Sequence, residues 1–222
     1  MGEVLSLTAL DGQQFSAYLA QPNGTPKGGV VVIQEIFGVN SHIRGVADEF
    51  ADQGYLTIAP ALFDRIKPGI ELGYEADDIT TGIAHKTTCG NDDPLAEIAA
   101  ALDVVKSAGK VGMVGYCWGG ALTWLAACKI AKFSAASSYY GGGVGGMMDL
   151  SPKCPTIFHF GEEDHAIPMT EVDQVKAAQP NSRVHVYPAG HGFNCEQRGS
   201  YHAESRKIAL ERTLALFGKE VG

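Results

Sequence analysis

The chain has 222 residues, 45% of them hydrophobic and 19% charged, enough for one sizeable core and marginal for two domains. Its formal net charge of −8 at pH 7 argues against nucleic acid or an anionic membrane surface as a main partner. Five cysteines, an odd number without C-x-x-C spacing, fit a reducing, cytoplasmic setting better than secretion. No basic segment precedes an apolar one at the start, and no apolar run is long enough to span a bilayer. Met1-Gly2 with Ser6 fits the loose myristoylation pattern, but strand-like sequence follows at once and the match is read as chance.

In chain order, residues 4–9 and 14–20 alternate or cluster in strand fashion around Asp11-Gly12, a hairpin signal. Residues 21–26 form a Pro- and Gly-containing loop. The β-branched run 29–33 (G-V-V-V-I) marks a strand buried on both faces, and it ends in Gln34-Glu35-Ile36-Phe37-Gly38. Asn40-Ser41 caps a helix over 42–53, Gly54 closes it, and a second buried strand over 55–59 stops at Pro60. Between 61 and 91 the periodicity weakens, so this stretch is expected to be a surface excursion with the acidic run 71–78 as a solvated face. Asp92-Asp93-Pro94 opens a helix through Ala108.

The most informative stretch is Lys110 to Leu122. A short apolar run ends in Gly115-Tyr116-Cys117-Trp118-Gly119-Gly120, and a small-residue helix over 121–131 follows at once. This strand, tight turn and helix is the nucleophile-elbow pattern G-x-S-x-G with cysteine replacing serine. The helix points its positive end at the thiol and favours the thiolate. A buried structural cysteine in a glycine-rich corner is the bland alternative.

Further strands are expected over 133–140, 155–161 and 183–187, with helices over 170–178 and 201–217. The glycine run 141–146 formally contains G-x-G-x-x-G, but no helix can follow it directly, so dinucleotide binding is rejected. Alternating buried strands and helices define an α/β domain, one unit over 1–222, with a mainly parallel sheet and helices on both faces.

In such sheets, catalytic groups sit in loops at the carboxyl ends of strands. Two downstream loops carry candidates: Gly161-Glu162-Glu163-Asp164-His165 and Pro188-Ala189-Gly190-His191-Gly192-Phe193. Nucleophile, acid, histidine is the chain order of an α/β-hydrolase triad. His191 would handle the thiol proton, and Asp164 would fix its tautomer. Glu162 and Glu163 compete for the acid role, and an Asp in such a loop also serves as a turn former. His42, His85, His159, His165, His185 and His202 lack ligand spacing, so no metal is expected.

These pieces together resemble the dienelactone hydrolase (carboxymethylenebutenolidase) family of α/β hydrolases, from the first hairpin to the last helix. The segments that carry the resemblance are Gln34 to Gly38, Gly115 to Gly120, Gly161 to Asp164 and Gly190 to Phe193. It implies a Cys117–His191–Asp164 triad, an additional glutamate at Glu35, and oxyanion donors in the backbone N–H groups of Ile36 and Trp118. In the family the resting thiol pairs with that glutamate until an anionic substrate displaces it. The implied reaction is attack of thiolate on a small, anionic ester or lactone, through a thioester, without cofactor. Phe37 falls among the substrate-binding candidates.

The chain departs from the family where arginines grip the substrate carboxylate. It has no arginine between Arg65 and Arg183, and Cys195 stands four residues after His191. Arg198 and Lys86 are the candidate replacements, each with ordinary surface charge as its alternative. Three readings stay open: a dienelactone-type hydrolase, an esterase or thioesterase for other small substrates, and a thiol redox switch. A monomer or small homo-oligomer is expected.

Overall fold

The computed structural model describes residues 2–222, so Met1 of the Met-Gly pattern lies outside the described residues. Eight strands form one sheet in the order β1-β2-β4-β3-β5-β6-β7-β8. The strands are β1 (Glu3–Thr8), β2 (Gln14–Ala20), β3 (Gly29–Ile33), β4 (Leu56–Pro60), β5 (Val111–Tyr116), β6 (Ala135–Tyr139), β7 (Thr156–Gly161) and β8 (Arg183–Tyr187). The N-terminal hairpin β1–β2 is antiparallel and joins β4 antiparallel, while every pair from β4 through β8 is parallel. This is the expected α/β-hydrolase architecture.

The β-branched run of β3 works on both faces. Side chains alternate across a strand, so Val30 and Val32 join a cluster with Val46 and Phe50 of α1 (Ser41–Asp52) and Phe217 of α6 (Ala203–Glu220). Val31 and Ile33 join the opposite cluster with Ile98 and Leu102 of α3 (Pro94–Val105) and Leu122 of α4 (Trp118–Lys129). Asn40 caps α1 as its sequence indicates, its Oδ1 accepting the Ile43 N–H at 3.3 Å.

The excursion holds more regular structure than its sequence pattern indicates. Within the expected surface excursion, residues 76–89 form a helix, α2 (Ala76–Cys89), that the weak periodicity did not reveal. The acidic run supplies its start: Glu75 and Asp78 make a reciprocal capping box. Apolar periodicity was weak because the helix buries only Gly82 and Cys89. Four threonine hydroxyls bond back to the carbonyls one turn earlier and so satisfy themselves within the helix. The glycine run holds a single 3₁₀ turn, Val144–Met147, before β7, and α5 (Met169–Ala178) lies between β7 and β8.

Between the sheet and α6 lies a buried polar string. His159 is fully buried, with Nδ1 2.8 Å from the Tyr187 hydroxyl and Nε2 3.3 Å from Thr213 Oγ1. Burial, with His185 and Arg212 nearby, pulls its pKa well below the usual histidine value. Burial with Arg212 and Arg183 takes His185 to about 4. An unfolded chain takes up these protons near pH 6.5, whereas the folded one resists. Stability is therefore full above about pH 6.5 and falls as pH drops from there towards 4. Thermal denaturation across pH 4–8 should show this slope, and His185→Gln should flatten part of it.

Candidate active site

Cys117 sits between β5 and α4, at the N-cap of α4, with φ 55° and ψ −119°, a conformation that side-chain-bearing residues avoid. Its N–H donates to the Tyr139 carbonyl at 3.0 Å, and its own carbonyl accepts from Gly120 at 2.9 Å, closing the turn. The neighbouring glycines are needed for close approach. A Cβ on Gly115 would strike the Gly119 carbonyl, and one on Gly119 would strike the carbonyls of Ile33 and Gln34. Among the described residues, Tyr140 is the only other non-glycine with positive φ (36°), and its ring packs edge-on to His191 at 5.1 Å.

Asp164 and His191 stand in the loops after β7 and β8. His191 Nδ1 lies 2.8 Å from Asp164 Oδ2. The other carboxylate oxygen accepts the N–H groups of Ala166 at 2.8 Å and Ile167 at 3.2 Å. Asp164 is thus both turn former and histidine partner, and its side chain is fully buried, whereas Glu162 and Glu163 are exposed. Burial of the His191 ring disfavours its proton. The Cys117 charge and the hydrogen bonds to Asp164 and Cys117 outweigh that and raise the pKa to about 10. The arrangement favours the protonated imidazolium form of His191.

Ile36 and Trp118 line the same cleft. Among the described residues neither backbone N–H donates to a protein acceptor. The Trp118 side chain is pinned separately, stacked on Phe63 at 5.4 Å with its indole N–H on Asn91 Oδ1 at 2.9 Å.

Glu35, at the end of β3, is fully buried but does not pair with the thiol as expected. Its Oε1 accepts from Arg198 Nη1 at 3.3 Å, and its Oε2 from the Tyr74 hydroxyl at 3.4 Å. The physical reason is charge: in a dry pocket a guanidinium is a far stronger partner for a carboxylate than a thiol. Burial and the Glu35 charge keep Tyr74 protonated, hence a donor. The segment 194–199 does fold back, and the Arg198 guanidinium lies 5.7 Å from the Phe37 ring centroid and 5.9 Å from that of Tyr74. Arg198, Lys86 and Phe37 all line the cleft.

Sequence reasoning missed that Cys195 and Tyr74, whose hydroxyl accepts from Asn40 Nδ2 at 3.1 Å, gather around Glu35. Tyr74 lay in the aperiodic excursion, and only its neighbouring capping-box acids signalled an ordered element there. Glu35, His42 and Cys195 also bring one ligand atom each within 4.8 Å of one another. Sequence spacing did not reveal this juxtaposition. A cation there would face the Arg198 guanidinium, and Glu35 already serves Arg198 and Tyr74. The set fits an ion-paired polar knot better than a metal centre.

An open parallel sheet with a strained cysteine turn, and histidine and aspartate after the last two strands, defines an α/β hydrolase in class. The family model described as "Dienelactone hydrolase family" matches residues 15–221, and the chain belongs to that family. A carboxymethylenebutenolidase of Pseudomonas putida is 36% identical over 224 residues, covering 96% of this chain and 94% of that protein. A Synechocystis sp. protein provisionally given the same name is 35% identical, covering 94% and 93% of the two chains. A crystal structure from Klebsiella pneumoniae, described provisionally as a dienelactone hydrolase, superposes with a TM-score of 0.83 at 29% identity, covering 98% and 99%. Among the described residues no helix is long and apolar enough to cross a membrane.

Proposed function

We propose that this protein hydrolyses small carboxylic esters or lactones through a Cys117 thioester, and that the 222-residue chain works as one catalytic domain. The observation that carries the reading is the convergence on one cleft of Cys117 at the strained turn, the His191–Asp164 pair and two unpartnered amides. The thiolate attacks the carbonyl carbon, and the carbonyl electron pair moves to oxygen. The amides of Ile36 and Trp118 hold that oxyanion, each worth about 3–4 kcal/mol in comparable sites. As the tetrahedral adduct collapses, the His191 imidazolium gives its proton to the departing alkoxide. Neutral His191 then takes a proton from water as it attacks the thioester, releasing the acid and restoring the thiolate. This chemistry calls on no cofactor.

The names of the relatives support a lactone as substrate, and Arg198 supports an anionic one. A substrate carboxylate reaching Arg198 competes with Glu35 for it, so binding would release the glutamate towards the thiol. Arg198→Ala should lower kcat/KM on a carboxylate-bearing lactone by about ten- to a hundredfold, and on a neutral ester of similar size far less. Equal losses on both would remove Arg198 from substrate recognition. The reading as a whole is tested with a panel of esters and lactones, followed by rapid acid quench and mass spectrometry. The expected result is an acyl adduct on the Cys117 peptide; turnover without any adduct on Cys117 would refute the thioester route.

A further inference from the structure

We infer that the α2 wall of the cleft is a binding site for an extended apolar acyl group that ends in a distal anion. The inference rests on the ester-hydrolase reading above and adds a substrate class to it. The cleft has a volume of about 1020 Å³, at the top of the roughly 300–1,000 Å³ that encloses drug-sized ligands. A small lactone leaves most of that space unfilled.

Helix α2 carries two stripes with different work. Gly82, His85 and Cys89 face inward. A Cβ on Gly82 would collide with the Ile36 carbonyl, His85 meets the Phe63 ring edge-on at 5.3 Å, and Cys89 Sγ lies 3.9 Å from the Leu62 carbonyl oxygen. This stripe docks the helix against Ile36 and against the Leu62–Phe63 turn. Ile79, Ile83 and Lys86, spaced four and three residues apart, share the adjacent face and all line the cleft.

Ile83 is 52% exposed. Of the four large hydrophobic side chains exposed among the described residues (Val4, Leu10, Ile66 and Ile83), it alone lines the cleft. Gly142, Ala166, Ile167 and Pro188 line the same cleft, so its lining offers further apolar contact. Lys86 is half-buried, and among the described residues no carboxylate pairs with it. Lys86 lies seven helical steps after Ile79, a span of about 10 Å, the length of a medium-chain acyl group. An isoleucine stripe closed by an unpaired ammonium suits an acyl chain with a terminal carboxylate.

The test is a chain-length series of p-nitrophenyl esters, acetate to octanoate, together with the ω-carboxylate of the octanoate-length acyl chain. For the wild type, kcat/KM should climb about two- to fourfold per methylene through the middle of the series. Ile83→Asp should lower it by tenfold or more on octanoate and by only a few-fold on acetate. Leu10→Asp, on the hairpin tip, controls for a surface charge and should follow the wild type. Lys86→Gln should cut the preference for the ω-carboxylate ester over the plain octanoate about tenfold. Measurable acetate turnover with a flat chain-length profile, or an Ile83→Asp loss equal at all lengths, overturns the apolar subsite. An unchanged ω-carboxylate preference in Lys86→Gln overturns the anion end. No turnover of any ester by the wild type would instead sink the hydrolase reading beneath it.

Discussion

Cys117→Ala should reduce ester turnover by about 10⁴- to 10⁶-fold, the loss seen when a covalent nucleophile is removed from a preorganised site. The alanine keeps the small side chain that the positive-φ turn already accommodates, so the fold should persist and a circular-dichroism spectrum should match the wild type. The other four thiols offer no substitute. Each is buried, and burial raises all four, taking Cys128 and Cys154 to about 11. At neutral pH they remain protonated and poorly nucleophilic. Brief exposure to iodoacetamide should therefore alkylate Cys117 well before Cys89, Cys128, Cys154 or Cys195. Even labelling of all five, or an alanine variant within tenfold of wild-type activity, would assign the chemistry elsewhere.

Asp164→Asn should leave a folded enzyme slowed by about 10⁴-fold. The variant's side-chain oxygen would keep the Ala166 and Ile167 N–H groups, because those bonds shape the turn after β7. Its amide nitrogen then faces His191 Nδ1, where the carboxylate now accepts at 2.8 Å. Two donors cannot share that contact, so the imidazole places its proton on Nε2. It thereby loses the lone pair that would take the thiol proton. Glu163→Gln, on an exposed neighbour, should cost little. A crippled Glu163→Gln beside a healthy Asp164→Asn would reverse the assignment of the acid. Thermal melts on both variants separate a lost tautomer from a lost turn.

Much of this site was legible because its signals are local. A turn that needs small residues on either side writes them next to the cysteine, and a strand buried on both faces must be apolar throughout. The order of strand-end loops then follows from the alternation of elements. The excursion was less legible for an equally physical reason. Helix α2 buries so little that it leaves almost no apolar period, and its start is marked only by a capping box.

By itself, the sequence determined the α/β-hydrolase fold, the strained corner at Cys117 and the chain order of Asp164 and His191. Each of these is assembled from local patterns, strand runs and tight turns, in which backbone sterics and burial dictate the residue types. Only the tertiary structure decided who partners whom. Glu35 and Arg198 are 163 residues apart in sequence, yet they form a partly buried ion pair whose arginine lines the cleft. Choosing Arg198 over the thiol as partner for Glu35 depends on the dry surroundings that α2, Phe37 and Tyr74 create. Charge pairing of that kind is set by distance and desolvation in the folded protein, and neither quantity is written in local sequence.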